Sequence, residues 1–279
     1  MIEKFLDRLR EDAHQGRLEL PVLPDVAIQA LFIADQPDTT ISDIADLVSR
    51  DSAIAGRIIR HANSPAYRGT TPCTTLRAAI TRLGLQRARQ IIIALAMRET
   101  FETGIDSIAE RAETLWKHSL DVAILSYLIA RTQRHLDAEV ALLAGLVHDI
   151  GALPILKRAA VDPALSQDPE ALEVVIRIAH VALSRLVLKH WNFHPETIRI
   201  VVEHEKIDRT IDDEAPVSEL DVLQAANIEA LRATRAPLAA VDRTKIAAIR
   251  RLAEPRGGTE IPWDRNRQAF DTINSLFAI

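Results

Sequence analysis

The chain has 279 residues, 48% of them hydrophobic, 4% aromatic and 26% charged, with a formal net charge of −5. That length suits one large domain or two small ones, and the apolar fraction argues against wholesale disorder. The mild acidity offers no general pull towards nucleic acid or anionic membrane, and the single cysteine, Cys73, excludes an intramolecular disulfide framework and a cysteine-based zinc site.

From the N-terminus, residues 1–15 predict a helix, with a charged start that lacks the long apolar core of a signal peptide. Residues about 16–103 predict a helical unit, opened by the proline-spaced run from Leu20 to Asp25. Within it, Ile44, Leu47 and Val48 share a face behind Thr40 and Asp43, a capping box. Asp51 or Ser52 caps the next segment, with Ile54, Ile58 and Ile59 as its apolar stripe. Thr75 starts another, with Leu76, Ala79, Ile80 and Leu83 inward and Gly84 as the stop. Leu85 to about Phe101 reads as a long helix. A soft boundary falls near Gly104–Ile108, and residues about 109–232 form a second helical unit. Residues 233–279 supply a C-terminal helical extension, broken at Pro255–Gly258. No stretch alternates as a strand does, and no Asn-Gly hairpin signal occurs, so the expected class is all-α with about a dozen short helices. Apolar runs such as Ile91–Met97 and Ala141–Val147 fall well short of the ~20 residues a bilayer requires.

Of nine histidines, His118, His148, His180, His190 and His204 lie in or beside apolar patterns of the second unit. His148 and Asp149 close an apolar helical segment just before Gly151. Adjacent side chains diverge on a helix, yet in its last turn they can converge as the backbone unwinds. Imidazole with carboxylate suits Fe, Mn or Zn better than Ca, and the competing reading is a buried structural hydrogen bond.

These residues sit in recognisable company. Leu115–Leu120 around His118, Leu146–Gly151 around His148-Asp149, and Ala179-His180, Trp191, Pro195 and His204 resemble the HD phosphohydrolase pattern in its HDOD (HD-related output domain) form. Leu20–Pro24, Asp51–Arg60, Ala62–Ser64, Ala79-Ile80 and Leu83–Leu85 resemble the HDOD leader that ordinary HD hydrolases lack. The resemblance covers roughly residues 16–230. It implies an N-terminal helical unit packed as one body on an HD-like unit, and metal ligation at the positions of His118, His148, Asp149 and a later aspartate. Asn227 stands where that aspartate is expected, so the cluster is one negative charge short. Asp221, six residues earlier, is expected on another face. His180 and His204 match positions that help a second metal in binuclear relatives, and Glu205 is the simplest replacement for the histidine that follows, with Glu203 competing for the role.

Other chemistry finds little support. After His204 no Gly-Tyr-Pro loop follows, which argues against the HD-GYP phosphodiesterases, and there is no P-loop, dinucleotide glycine fingerprint or nucleophile elbow. Arg77, Arg82, Arg87 and Arg89 invite a helix-turn-helix reading, but the apolar run that follows is unsuited to a groove, leaving a packed, solvated arginine edge. Arg250 and Arg251 read as part of a surface helix, with Ile246, Ile249 and Leu252 for packing. Asn63 and Ser64, at the head of an Asn-Ser-Pro-Ala-Tyr run, read as structural, Trp116 and Trp191 as core, and Trp263 as an anchor for the C-terminal helices or a partner contact.

The resemblance therefore implies a cytoplasmic, bacterial signal-transduction output or regulatory module, without strong catalysis. It would bind another signalling protein or a nucleotide-type ligand, with no nucleic acid or membrane partner. No cofactor is required, and a divalent metal (Fe, Mn, Zn or Mg) at a degenerate site is compatible. The alternative is a metal-dependent HD phosphohydrolase acting on a nucleotide or cyclic dinucleotide, with His118, His148 and Asp149 as core ligands. No receiver, EAL or GGDEF-like input domain fits in 279 residues, so the signal is expected in trans.

Overall fold

The computed structural model describes residues 1–33, 38–64, 67, 69–102, 104–212, 214–232, 234, 237–254, 258–261, 263, 267, 270–271 and 274. Among these there are fourteen α-helices, two short 3-10 helices and no strand, so the chain is all-α. Two compact units emerge, one formed by Val22–Glu102 and the other by Met1–Pro21 with Thr103–Asn274.

In the 22–102 unit, helices α2 (Asp25–Ile33), α3 (Ile41–Val48), α4 (Ser52–Ala62) and α5 (Leu76–Leu83) each pack against α6 (Leu85–Phe101). Their starts follow from local chemistry. Thr40 and Asp43 form a reciprocal capping box at α3, the Asp51 carboxylate accepts from the Ala53 and Ile54 amides at α4, and Thr75 accepts from Ala78 N–H at α5. Each such cap is worth about 1 kcal/mol. Gly84 ends α5 at φ +80°, a conformation that disfavours any residue with a Cβ. Helix α6 is buried over the whole of Gln90–Met97, so it carries no polar stripe.

The leader residues have mechanical roles. Asn63 pairs with the backbone of Cys73 at both ends, donating to its carbonyl at 2.8 Å and accepting its N–H at 2.7 Å. Arg82 donates to Asn63 and to the carbonyls of Ala62 and Thr71. Arg77 binds Ser42, Arg89 donates to the Ala30 carbonyl, and Arg87 lies over the Tyr67 ring at 5.0 Å. The arginine edge is thus engaged in holding the unit together. Pro65 and Ala66 lie outside the described residues, as do Pro255–Gly257 of the expected break.

In the other unit, α7 (Asp106–Ala130) and α11 (Pro169–His190) are long, 25 and 22 residues, not the short helices that the punctuation suggests. Their internal patterns contain no glycine or proline after the first turn, so nothing interrupts them. Around them pack α8 (Ala138–Val147), α9 (Ala152–Ala160), α10 (Pro163–Ser166), α12 (Pro195–Glu203) and α13 (Glu219–Leu231), with α1 (Ile2–His14) against α11 and α14 (Ala247–Leu252) against α13. Trp116 is 1% exposed within this core. Trp191 is only part-buried and donates from Nε1 to the Pro21 carbonyl at 2.9 Å. Trp263 anchors on α13, its Nε1 donating to Glu229 Oε2 at 3.3 Å.

One expectation fails here. Arg251 does not lie on a surface helix: its side chain is 2% exposed and paired with the fully buried Asp221 at 2.9 Å. Ile246, Ile249 and Leu252 are buried as expected, and the whole short helix is drawn inward with them. Asp221 lies in this ion pair rather than in the histidine cluster. Ala138–Ala160 is, among the described residues, the one run long and apolar enough to cross a membrane by length and composition, and 78% of its window is buried.

Candidate metal centre

The cluster begins where α8 ends. After Val147 the chain enters a tight turn closed by i to i+3 bonds, Ile150 N–H to Val147 O and Ala152 N–H to Asp149 O. Winding tighter than an α-helix, this turn lets the neighbours His148 and Asp149 reach the same point, with Nε2 and Oδ2 3.3 Å apart. Gly151 does not serve this turn through a left-handed φ, since its φ is −66°. It serves by having no side chain: a Cβ there would stand 2.1 Å from the His180 carbonyl oxygen and 2.2 Å from the Ser184 amide. Helix α11 can therefore lie directly on the turn. Ser184, fully buried, clamps it by accepting from Gly151 N–H at 2.9 Å and donating to His148 O at 3.1 Å. Gly145 plays the matching part against α7, where a Cβ would meet the Ala123 Cα at 2.6 Å.

Those two close approaches deliver the remaining ligand-type groups. His118 arrives from α7, with Nε2 3.3 Å from His148 Nε2 and 3.9 Å from Asp149. His180 arrives from α11 and His204 from the end of α12, with Nε2 at 3.4 and 3.5 Å from Asp149 Oδ1. Glu205 stands 3.5 Å from His180 and is 38% exposed. Asn227, from α13, faces His118. All seven side chains singled out in the sequence thus meet. Glu203 does not join them; it pairs with Arg199 and Lys206 instead. His190 is exposed at the end of α11, and His194 caps α12.

Three imidazoles are oriented by the backbone. Nδ1 of His148, His180 and His204 lies 2.7, 2.9 and 2.6 Å from the carbonyls of Gly145, Ile176 and Val201. A carbonyl only accepts, so each Nδ1 carries a proton, and Nε2 is the ring nitrogen turned inward to the cluster. Two such groups form, His118 with His148 and Asp149, and Asp149 with His180 and His204, each with ligand atoms within 4.8 Å of one another. Burial alone would raise the Asp149 carboxyl, but His148, His204 and His180 outweigh it and hold it well below the usual carboxylate range. Burial is also the main cause that pushes His118 down to about 4, with His148 adding to it.

The donor set fits a divalent ion. Ligands about 2.1 Å from a common ion at tetrahedral or octahedral angles stand roughly 3.0–3.4 Å apart. The closest ligand contacts, at 3.3 and 3.4 Å, lie in that range. Asp149 Oδ1 and Asn227 Oδ1 are buried and accept no well-formed hydrogen bond from the protein, as expected of acceptors that face a cation. Asp149 belongs to both groups and is placed to bridge them.

The sequence matches the HDOD domain family over residues 20–207. The chain belongs to the HDOD family. This HDOD chain is similar over 99% of its length, and of that chain's, to the "Putative metal-dependent phosphohydrolase" of Shewanella amazonensis, at 29% identity and a TM-score of 0.76. It shares its fold with an HDOD domain protein of Geobacter sulfurreducens (24% identity, TM-score 0.72, 100% of both chains). It also shares the fold of a "Putative signal transduction protein" of Marinobacter aquaeolei (18% identity, TM-score 0.60, 99% of this chain and 65% of that one). An uncharacterized protein of Treponema pallidum is 20% identical over 213 residues, 71% of this chain; the HDOD chain spans 40% of that curated relative's length.

Sequence reasoning missed the scaffold residues Gly145, Ser184 and Gln224. Gly145 and Gln224 each precede a cluster residue, His148 and Asn227, by three positions, one helical turn, which places them on the same face.

Proposed function

We propose that this HDOD chain is a bacterial signal-transduction module that holds divalent metal between His118, His148, Asp149, His180, His204 and Glu205, and binds a partner protein or nucleotide-type ligand without rapid turnover. The observation that carries the reading is Asn227. It faces His118 at the position where the resemblance expects an aspartate, and its buried oxygen is neutral. A divalent ion balanced by fewer carboxylates is a weaker activator of water, so binding is retained more readily than hydrolysis.

The chain's own groups have definite roles in this reading. The backbone carbonyls of Gly145, Ile176 and Val201 keep Nδ1 protonated on three histidines and so keep Nε2 free to coordinate. Asp149 supplies the shared negative charge. Glu205, the more exposed of the two carboxylates at the cluster, stands at its solvent side.

Metal analysis of the purified protein tests this, with His148→Ala as the control. Between one and two equivalents are expected, and less than about a tenth of an equivalent would sink the metal reading. A phosphoesterase screen with Mn or Fe added is expected to give little turnover. The phosphohydrolase reading is favoured by the bridging position of Asp149 and by the name of the Shewanella relative. A clear rate on a nucleotide or cyclic dinucleotide, abolished by Asp149→Ala, would establish it.

A further inference from the structure

His204 and Glu205 sit in a turn that α12 leaves behind, closed by Lys206 N–H donating to Glu203 O at 3.0 Å. The two carbonyls that flank the pair are held from outside the turn. Gln224, 1% exposed on α13, donates from Nε2 to Glu203 O at 3.1 Å and to Lys206 O at 3.0 Å. Its Oε1 accepts from Arg209 at 2.6 Å. That contact fixes which way the amide points, because the flipped amide would set donor against donor and acceptor against two carbonyls.

Arg209 is held in turn. It pairs with Asp221 at 2.8 Å, and Asp221 pairs through its other oxygen with Arg251 of α14 while capping α13 from Ser218. Arg251 also donates to the carbonyls of Ala215 and Pro216, in the segment leading into α13. Every link in this series lies beyond residue 207, where the family match ends. The same helix carries Asn227, which faces His118, so α13 touches both groups of ligands. Among the described residues, Gln224 is the one side chain that donates to the carbonyls of the His204–Glu205 turn.

We infer that Gln224 is the positioning residue for the His180, His204 and Glu205 half of the cluster, and that Arg209, Asp221 and Arg251 hold Gln224 in that pose, so helix α14 sets ligand geometry on one side only. The inference rests on the metal reading above, and the test separates the two.

Gln224→Glu is isosteric, keeps an acceptor for Arg209 and removes both donors. It is made in His118→Ala, which leaves the His180/His204 half, and in His180→Ala, which leaves the His118/His148 half. Co2+ titration, followed by its visible absorption band, is expected to weaken roughly tenfold in the first background and to stay within about twofold in the second. Equal loss in both, or loss in neither, overturns the inference. Amide hydrogen exchange of the metal-free chain gives an independent readout. Residues 203–207 are expected to exchange faster in Gln224→Glu while 145–151 do not change, and unchanged exchange at 203–207 overturns the inference even if the protein binds no metal. Should Gln224→Glu fail to fold, Arg209→Met releases the same amide from a partly exposed position. It is expected to give the same one-sided loss, about threefold, and an even loss counts against the inference in the same way.

Discussion

The two halves of the cluster share Asp149 but not their charge. Among the described residues, the His118/His148 half has no other carboxylate, because its fourth member is the Asn227 amide. The His180/His204 half adds Glu205, 3.5 Å from His180. Divalent cations are held by opposite charge as well as by lone pairs, so the second half should bind more tightly. The resemblance places the core ligands in the first half. Matching residue types to a family pattern therefore ranks the two halves one way, and counting the charge each presents ranks them the other.

Removing the shared group should have the largest effect. Asp149→Asn keeps the shape and is expected to weaken both halves at least a hundredfold, leaving under about a tenth of an equivalent of metal on elemental analysis. Retention of one tight ion would show that the halves are independent. Next come the two glycines, which separate the halves sterically. Gly151→Ala drives a methyl into α11 and should displace His180 from Asp149, whereas Gly145→Ala pushes on α7 and should displace His118. Each overpacking is expected to cost about 1–3 kcal/mol in denaturant unfolding, more at Gly151, where a methyl would come within 2.1 Å of backbone against 2.6 Å at Gly145. Loss of metal should follow at the matching half alone; a swapped or even pattern would break the assignment.

Asn227→Asp restores the missing charge and should tighten the first half about tenfold in calorimetric titration of His180→Ala. Unchanged affinity would mean that Asn227 does not face the ion. The smallest effect concerns acid. His61 in α4 and His118 in α7 are both pushed down to about 4, mainly by burial, with Arg60 adding a smaller push at His61. Their unfolded forms titrate near 6.5, so between about pH 6.5 and 4 the unfolded chain binds more protons than the folded one. Stability of the metal-free protein should fall as pH drops through that window, by at most about 1.4 kcal/mol per pH unit for each histidine. His61→Gln should remove one such share of the slope, and an identical slope would show that His61 is not held neutral.

Much of the architecture is legible residue by residue. Thr40, Asp51 and Thr75 announce their helices because a side-chain oxygen at an N-cap serves amides only two or three residues away. Gly84 marks a stop because its φ is a local property. The metal-type residues His118, His148, Asp149, His180, His204 and Asn227 are likewise visible, through the resemblance that their order and spacing carry. Glu205 cannot be separated from Glu203 on that basis. Whether a side chain at a helix end points into the core or along the surface depends on how that turn is closed, and Lys206 with Gln224 closes this one from residues near and far. Arg251 is misread for a related reason: in a six-residue helix, one arginine among apolar neighbours reads as exposed unless its buried counter-ion is known.

The sequence by itself determined the helical class, the helix starts at Thr40, Asp51 and Thr75, and the family, because caps, periodicity and motif order act over a few residues. Tertiary structure decided which residues meet. Gly145 and Gly151 matter for the helices they admit rather than for the turns they make, and Asp149 unites two ligand groups because α7 and α11 both come close enough to bring His118 and His180 to it. Contacts of that kind are set by helix-to-helix distances of a few ångströms between segments tens of residues apart, which no local pattern encodes.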